Sequence, residues 1–338
     1  MDFIILISIF VMTIIFTIII KHYAEKLSLI DVPNERSMHK ELVPRGAGIA
    51  FVVSILFSLL LFNPAHLQTY YYIYLAIGLV WVVGIWDDIK DISPKIKFVF
   101  IFLAALILYF NDFAIYSLGN YFGFEADIPS WLVFIFTFFA LAGYTNALNL
   151  MDGLDGLAAS ITIVMLMAFL AIGLQHSDNL LISLSSFFIT SLMAFLFFNW
   201  NPATIFMGDS GSLTLGTVIV ILTIQAVQYI TPASVLFIIA LPLLDTFIVM
   251  TRRYQRKRPL FEADKNHLHH FLVNLKGDVQ FTVMILVMMQ TIFSIIGYQV
   301  SLSNNILSLF LFMLLFYVYL NLFDQRVKRR KKEKKKRH

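Results

Sequence analysis

A chain of 338 residues that is 59% hydrophobic and only 14% charged has more apolar surface than a water-soluble fold can hide, since soluble chains run nearer ~25% charged. Its mean hydropathy of +0.81 calls for a bilayer as solvent. The absence of cysteine excludes disulfide frameworks, thiolate nucleophiles and cysteine-ligated zinc or iron–sulfur centres. The formal net charge of +4 would suit nucleic acid as a patch, but its distribution along the chain gives it another use.

In chain order, apolar stretches long enough to span fall near 3–20, 46–62, 69–86, 95–110, 129–146, 156–174, 180–198, 213–229, 232–250, 281–299 and 305–322, about eleven in all. The first, MDFIILISIFVMTIIFTIII, lacks a basic n-region and a small-residue cleavage site, so it reads as an uncleaved helix rather than a signal peptide. All 25 Lys and Arg lie in 21–45, 86–97, 251–280 and 323–338, all on one side of the spans, and the opposite face has none. The positive-inside rule then places the N-terminus outside and the C-terminus in the cytoplasm. The expectation is an all-α polytopic integral membrane protein: one catalytic domain over 1–322 and a basic cytoplasmic tail over 323–338 that anchors topology beside anionic lipid.

Every connection on the basic side except the tail holds a polar cluster: DVPNERSMHKELVPRGAG (31–48), DDIKDISPKIK (87–97), NALNLMDGLDGLAAS (146–160), FMGDSGS (206–212) and FEADKNHLHH (261–270). An aspartate at the centre of a spanning helix costs ~2.5–3.5 kcal/mol, and Asp87, Asp88, Asp91, Asp152, Asp155 and Asp209 avoid much of that at helix ends. Helix capping explains part of the pattern. Ser93-Pro94 suits an N-cap and first helical residue, and Asp155 and Asp209 or Ser210 suit caps of the helices that follow. Capping leaves the adjacent Asp87-Asp88 pair and the Asn149, Asp152, Asp155 series unexplained. Carboxylates gathered from three connections repel unless a cation sits among them. Their oxygens suit Mg²⁺, with Mn²⁺ as a substitute, usually held by one or two carboxylates plus substrate phosphates. Lys90, Lys95, Lys97, Arg36, Arg45 and the run from Arg252 to Arg258 are interleaved with them and suit phosphate. A metal, phosphates and basic side chains beneath a bilayer point to phosphoryl transfer to or from a lipid. His267, His269 and His270 leave three readings open: a transition-metal site, a solvated interfacial loop, or donors to phosphate or sugar oxygens. Asp245 is the one acid inside a span, and its role is left open.

Taken together and in order, these motifs resemble those of the polyprenyl-phosphate N-acetylhexosamine-1-phosphate transferases, most nearly the bacterial undecaprenyl-phosphate GlcNAc-1-phosphate transferase branch. The resemblance implies ten or eleven helices, a homodimer, and a Mg²⁺ site on the cytoplasmic face of the bacterial inner membrane. It implies that UDP-GlcNAc, a UDP-N-acetylhexosamine, and undecaprenyl phosphate give GlcNAc-diphosphate-undecaprenol and UMP. Asp87 and Asp88 match paired aspartates proposed to act on the attacking lipid phosphate, and Asn149 and Asp209 match metal ligands. Lys97 matches a phosphate-binding lysine, Asp155 a position near the uracil ring, and His267, His269 and His270 a His-x-His-His loop. Arg45, Asp91 and Asp152 complete the expected substrate-binding set. The branch that takes UDP-MurNAc-pentapeptide has three consecutive histidines where this chain reads HLHH; a GalNAc or deoxy-aminosugar donor would use similar loops. Ala47 departs from the glycine common in relatives. Two rivals fit less well. A secondary transporter keeps its coupling residues at the midplane in broken helices, and an intramembrane aspartyl protease needs a glycine where Phe206 stands.

Overall fold

The computed structural model describes residues 3–32, 42–255, 257, 267–301 and 305–335. Arg36, Arg256, Arg258 and the first six residues of FEADKNHLHH lie outside the described residues. Apolar runs fold as helices because a helix satisfies its own backbone groups where no water can. The helices are α1 Phe3–Tyr23, α2 Gly48–Phe62, α3 Pro64–Thr69, α4 Tyr71–Lys90, α5 Pro94–Phe110, α6 Ser130–Met151, α7 Leu157–His176, α8 Asn179–Asn199, α9 Asp209–Ala226, α10 Pro232–Ile238, α11 Ala240–Gln255, α12 Leu268–Lys276, α13 Val279–Val300 and α14 Asn305–Lys335. The chain is a polytopic, mostly helical membrane protein. Among the described residues seven helices are long and apolar enough to cross a membrane, or eight if the bent pair α10–α11 counts as one span. The stretch expected as a single span over 232–250 is that pair, bent by 89°. Gln290 of α13 makes the break tolerable: its amide donates to Ile238 O at 2.7 Å and accepts from Leu241 N–H at 3.1 Å.

Two small antiparallel pairs interrupt the all-α expectation. Strands β1 (Ile30–Asp31) and β2 (Val43–Pro44) pair ahead of α2, and β3 (Ser117–Tyr121) and β4 (Phe124–Asp127) form a hairpin between α5 and α6. The hairpin turns through Phe122 and Gly123, both at positive φ, as a tight two-residue turn requires.

Helix α9 is the axis of the bundle. Of its apolar window 83% is buried, against 28% for α1, and it packs on α2, α4, α6, α7 and α8. Its sequence, DSGSLTLGTV, is rich in small residues that let backbones approach. At Gly216 an added Cβ would stand 2.6 Å from Thr145 Cα of α6. Hydroxyl pairs tie α1 to its neighbours, Thr13 with Ser54 at 2.7 Å and with Ser191 at 3.0 Å.

Candidate active site

The C-terminal ends of α4 and α6 and the N-terminal ends of α2, α5, α7 and α9 meet at one end of the bundle. Helix α9 begins there, and its first N–H groups lack partners within the helix. Asp88, reaching over from α4, supplies them. Its Oδ1 accepts from Asp209 N–H at 2.7 Å and its Oδ2 from Ser210 N–H at 3.1 Å. Gly208 has φ 73° and lies so near that an added Cβ would stand 2.5 Å from Asp88 Oδ2. Gly84, one turn earlier on α4, opens the same approach; a Cβ there would lie 2.6 Å from Ser210 Cα, and one on Gly48 would strike the Gly211 backbone. The chain before α2 pairs with the segment before α9: Phe206 N–H donates to Pro44 O at 2.8 Å and Gly48 N–H to Met207 O at 3.0 Å.

Charges converge on this first turn. Lys97, one turn into α5, puts Nζ 2.8 Å from Asp87 Oδ2 and 2.5 Å from Asp209 Oδ2. Asp87 Oδ1 accepts from Ile92 N–H at 3.0 Å. Asn149, in the last turn of α6, donates to Asp209 Oδ1 at 2.9 Å and to Ser212 Oγ at 2.8 Å. Asp152, just past α6, faces the same group, and burial followed by the carboxylates of Asp209, Asp88 and Asp155 pushes its carboxyl up to about 7. Arg45 stands at the rim, 3.7 Å from Asp31 and 3.4 Å from Asp91. Asp91 ends α4 in the left-handed conformation, φ 42°, which aspartate tolerates better than most residues.

The donor set fits a hard divalent cation. Among the described residues one ammonium, Lys97, meets the carboxyl groups of Asp87 and Asp209, with those of Asp88 and Asp152 beside them, so carboxyl groups outnumber ammonium groups in the described cluster. Among the described residues no three His, Asp or Glu side chains form a cage by themselves. Mg²⁺ takes one or two protein carboxylates and completes its shell with water and phosphate. Asp209 and Asn149 would hold it. The Asn149 amide would turn over to offer oxygen in place of nitrogen, a rotation that swaps two nearly isosteric ends.

Asp155 and Asp209 do not cap the helices that follow them. Gly156, at φ 74°, precedes α7, and Asp155 Oδ2 instead accepts from Asn201 Nδ2 at 2.8 Å and Ala203 N–H at 2.9 Å. Asp209 is the first residue of α9 and is itself capped by Asp88. Ser93 and Pro94 do start α5, though the Ser93 side chain makes no capping bond. Asn199, which no motif marks, accepts from Gly156 N–H at 3.0 Å and donates to Ile205 O at 3.0 Å. It joins the chain before α7 to the chain before α9.

The histidine segment packs on the same loop. His269 is 1% exposed and occupies the space a Cβ on Gly153 would need. Burial, with smaller contributions from His270 and His267 and opposed by Asp245, holds its imidazole down at about 3. Its ring stacks with His267 at 5.8 Å and meets His270 at 4.2 Å. His267 Nδ1 lies 2.8 Å from Asp245 Oδ2. The structure therefore gives Asp245 a partner. The bent pair α10–α11 is the broken helix a transporter would need, but its acid is committed to a side chain rather than open to a passing ion.

A family model described as glycosyl transferase family 4 matches residues 70–227, from α4 through α9. The chain is 31% identical, over 89% of its length and 85% of the relative's, to a probable undecaprenyl-phosphate N-acetylglucosaminyl 1-phosphate transferase of Bacillus subtilis. It is 29% identical to an undecaprenyl-phosphate alpha-N-acetylglucosaminyl 1-phosphate transferase of Yersinia pestis, and 28% identical to one of Escherichia coli K12, each over 93% of this chain and 89% of the relative.

Proposed function

The chain belongs to glycosyl transferase family 4, and on that premise we propose that it transfers N-acetylglucosamine 1-phosphate from UDP-GlcNAc to undecaprenyl phosphate, releasing UMP. The observation that carries this reading is the carboxylate cluster of Asp87, Asp88 and Asp209 around Lys97 at the start of α9, an arrangement that suits a divalent cation and the phosphates it would carry, at the end of a lipid-embedded bundle.

The lipid phosphate is a monoester whose second pKa is ~6, so near neutrality it is mostly the dianion and already a nucleophile. Its oxygen attacks the phosphorus that bears the sugar. The bond from that phosphorus to the UMP oxygen breaks, and UMP leaves with the negative charge. Asp87 orients the incoming phosphate and accepts its proton when the monoanion binds. Lys97 and Arg45 draw two anions together and stabilise the charge on the departing phosphate. Asp88 keeps the start of α9 in place, so that Asp209 and Asn149 face the diphosphate. Asp155 and Asp152 wall the nucleotide side, Asp91 holds Arg45 at the rim, and the segment of His267, His269 and His270 closes the sugar side. Asp209 and Asn149 would hold Mg²⁺, or Mn²⁺ in its place, which would supply charge neutralisation to the diphosphate and the leaving phosphate.

Eleven spans, with the N-terminus outside and the site facing the cytoplasm of the bacterial inner membrane, accompany this reading. The one-sided distribution of all 25 Lys and Arg supports them, as does the cytoplasmic origin of nucleotide sugars. A homodimer follows by analogy with the family. Purified protein with undecaprenyl phosphate and a panel of UDP-sugars should release UMP, most readily from UDP-GlcNAc, and chelation of divalent ions should stop it. Release that does not need the lipid phosphate would mark a hydrolase and defeat the proposal.

A further inference from the structure

Asp245 takes no part in the cluster around Lys97, yet it is 4% exposed in the second turn of α11, within an apolar stretch. A buried acid is costly unless its oxygens are satisfied, and both are. Oδ2 meets His267 Nδ1 at 2.8 Å and Oδ1 accepts from Leu268 N–H at 2.8 Å. A carboxylate oxygen accepts, so a ring proton lies on Nδ1, and in the neutral form of the ring the lone pair is then on Nε2. The second bond caps α12 in place of the His267 side chain, which makes no capping bond of its own. One carboxylate thus fixes both the ring of His267 and the helix that carries His269 and His270. His269 then seats against Gly153, next to Asp152 in the chain.

We propose that Asp245 is a positioning residue for the transfer: it sets His267 in the Nδ1–H form, so that Nε2 is offered as an acceptor to an O–H or N–H of the donor's sugar. This rests on the transferase reading above. The merely structural alternative is a cap for α12, and the two differ in what an amide does. In Asp245→Asn, Oδ1 still accepts from Leu268 N–H, but Nδ2 donates to Nδ1 and drives the ring proton to Nε2, where it opposes the substrate.

Three measurements separate these cases: hydrogen exchange of amides 268–272, kcat and KM for UDP-GlcNAc, and the double variant with His267→Ala. We expect Asp245→Asn to keep parent-like exchange while kcat/KM falls about 10–100-fold, the range found when the hydrogen-bond partner that orients a metal-bound histidine is removed. In the His267→Ala background the same change should cost nothing further. Asp245→Ala should loosen α12, which shows that the exchange readout responds to the cap. Parent-like turnover in Asp245→Asn overturns the proposal, as does a loss that multiplies in the double variant. A parent protein that releases no UMP from any UDP-sugar is a different failure, that of the transferase reading, and it is seen before any variant is compared.

Discussion

Asp87 and Asp88 are adjacent in sequence and face different tasks. Asp88, 1% exposed, spends both oxygens on the first two N–H groups of α9, whereas Asp87 offers Oδ2 to Lys97. The pair should therefore separate by mutation. Asp88→Asn turns an N–H toward a backbone N–H and leaves a buried donor unsatisfied, a loss of about 1–3 kcal/mol, so its Tm should fall together with its turnover. Asp87→Asn should keep the parent's Tm and lose most turnover. Its residual rate should recover in part as pH rises past ~6, because the lipid phosphate then loses its second proton without help. Thermal unfolding and UMP release at pH 5.5 and 8.5 read both effects. An Asp88→Asn protein with an unchanged Tm would show that the cap is dispensable.

Among the elements, α9 decides whether a site exists, since its first turn carries Asp209 and is gripped by α2 and α4 through Gly48 and Gly84. Gly84→Ala drives a methyl against Ser210 Cα; overpacking of this kind costs about 1–3 kcal/mol and should push Asp209 away from Lys97. Gly78 lies on the same helix with nothing within 4 Å of an added Cβ, so Gly78→Ala should leave both Tm and UMP release intact. Equal behaviour of the two variants would mean that helix propensity, and not the close approach, sets the effect. The helices themselves were legible because hydropathy reports on the lipid each residue must face. The break in the span over 232–250 leaves a single mark in the sequence, Pro242. Proline lacks an N–H and is tolerated in the first turn of a helix, and that is where it lies in α11. The hairpin over Ser117–Asp127 leaves little trace in the sequence, because short strands carry little periodic signal. The acids were legible as a group, since nothing else explains so many at helix ends. That Asp88 caps a helix 121 residues later, and that Asp245 holds His267, depends on which helix ends meet, and spacing along the chain does not record that.

For the whole molecule, the polar residues gathered at one end of the bundle set its orientation. Asp87, Lys97, Asn149 and Asp209 form a continuous set of bonds, and Arg45 stands at the same end; in the sequence the basic connections 21–45, 86–97 and 251–280 all fall on one side of the spans. The opposite end carries the hairpin and the turn at Ser177, with acids but no Lys or Arg between spans. Charge beside the spans resists translocation, so the end with the site should face the cytoplasm, where nucleotide sugars are made. The chain has no cysteine, which allows single reporters to be placed without background. Ser210 would be a poor one, being fully buried beneath Asp88. Glu125 and Ser177 are exposed at one end, and Ser93 and Lys95 at the other. A membrane-impermeant maleimide should label Glu125→Cys and Ser177→Cys in intact cells, and Ser93→Cys and Lys95→Cys only after permeabilisation. The reverse pattern would put Lys97 and Asp209 on the face that UDP-GlcNAc never reaches, and the transferase reading would fail with the topology.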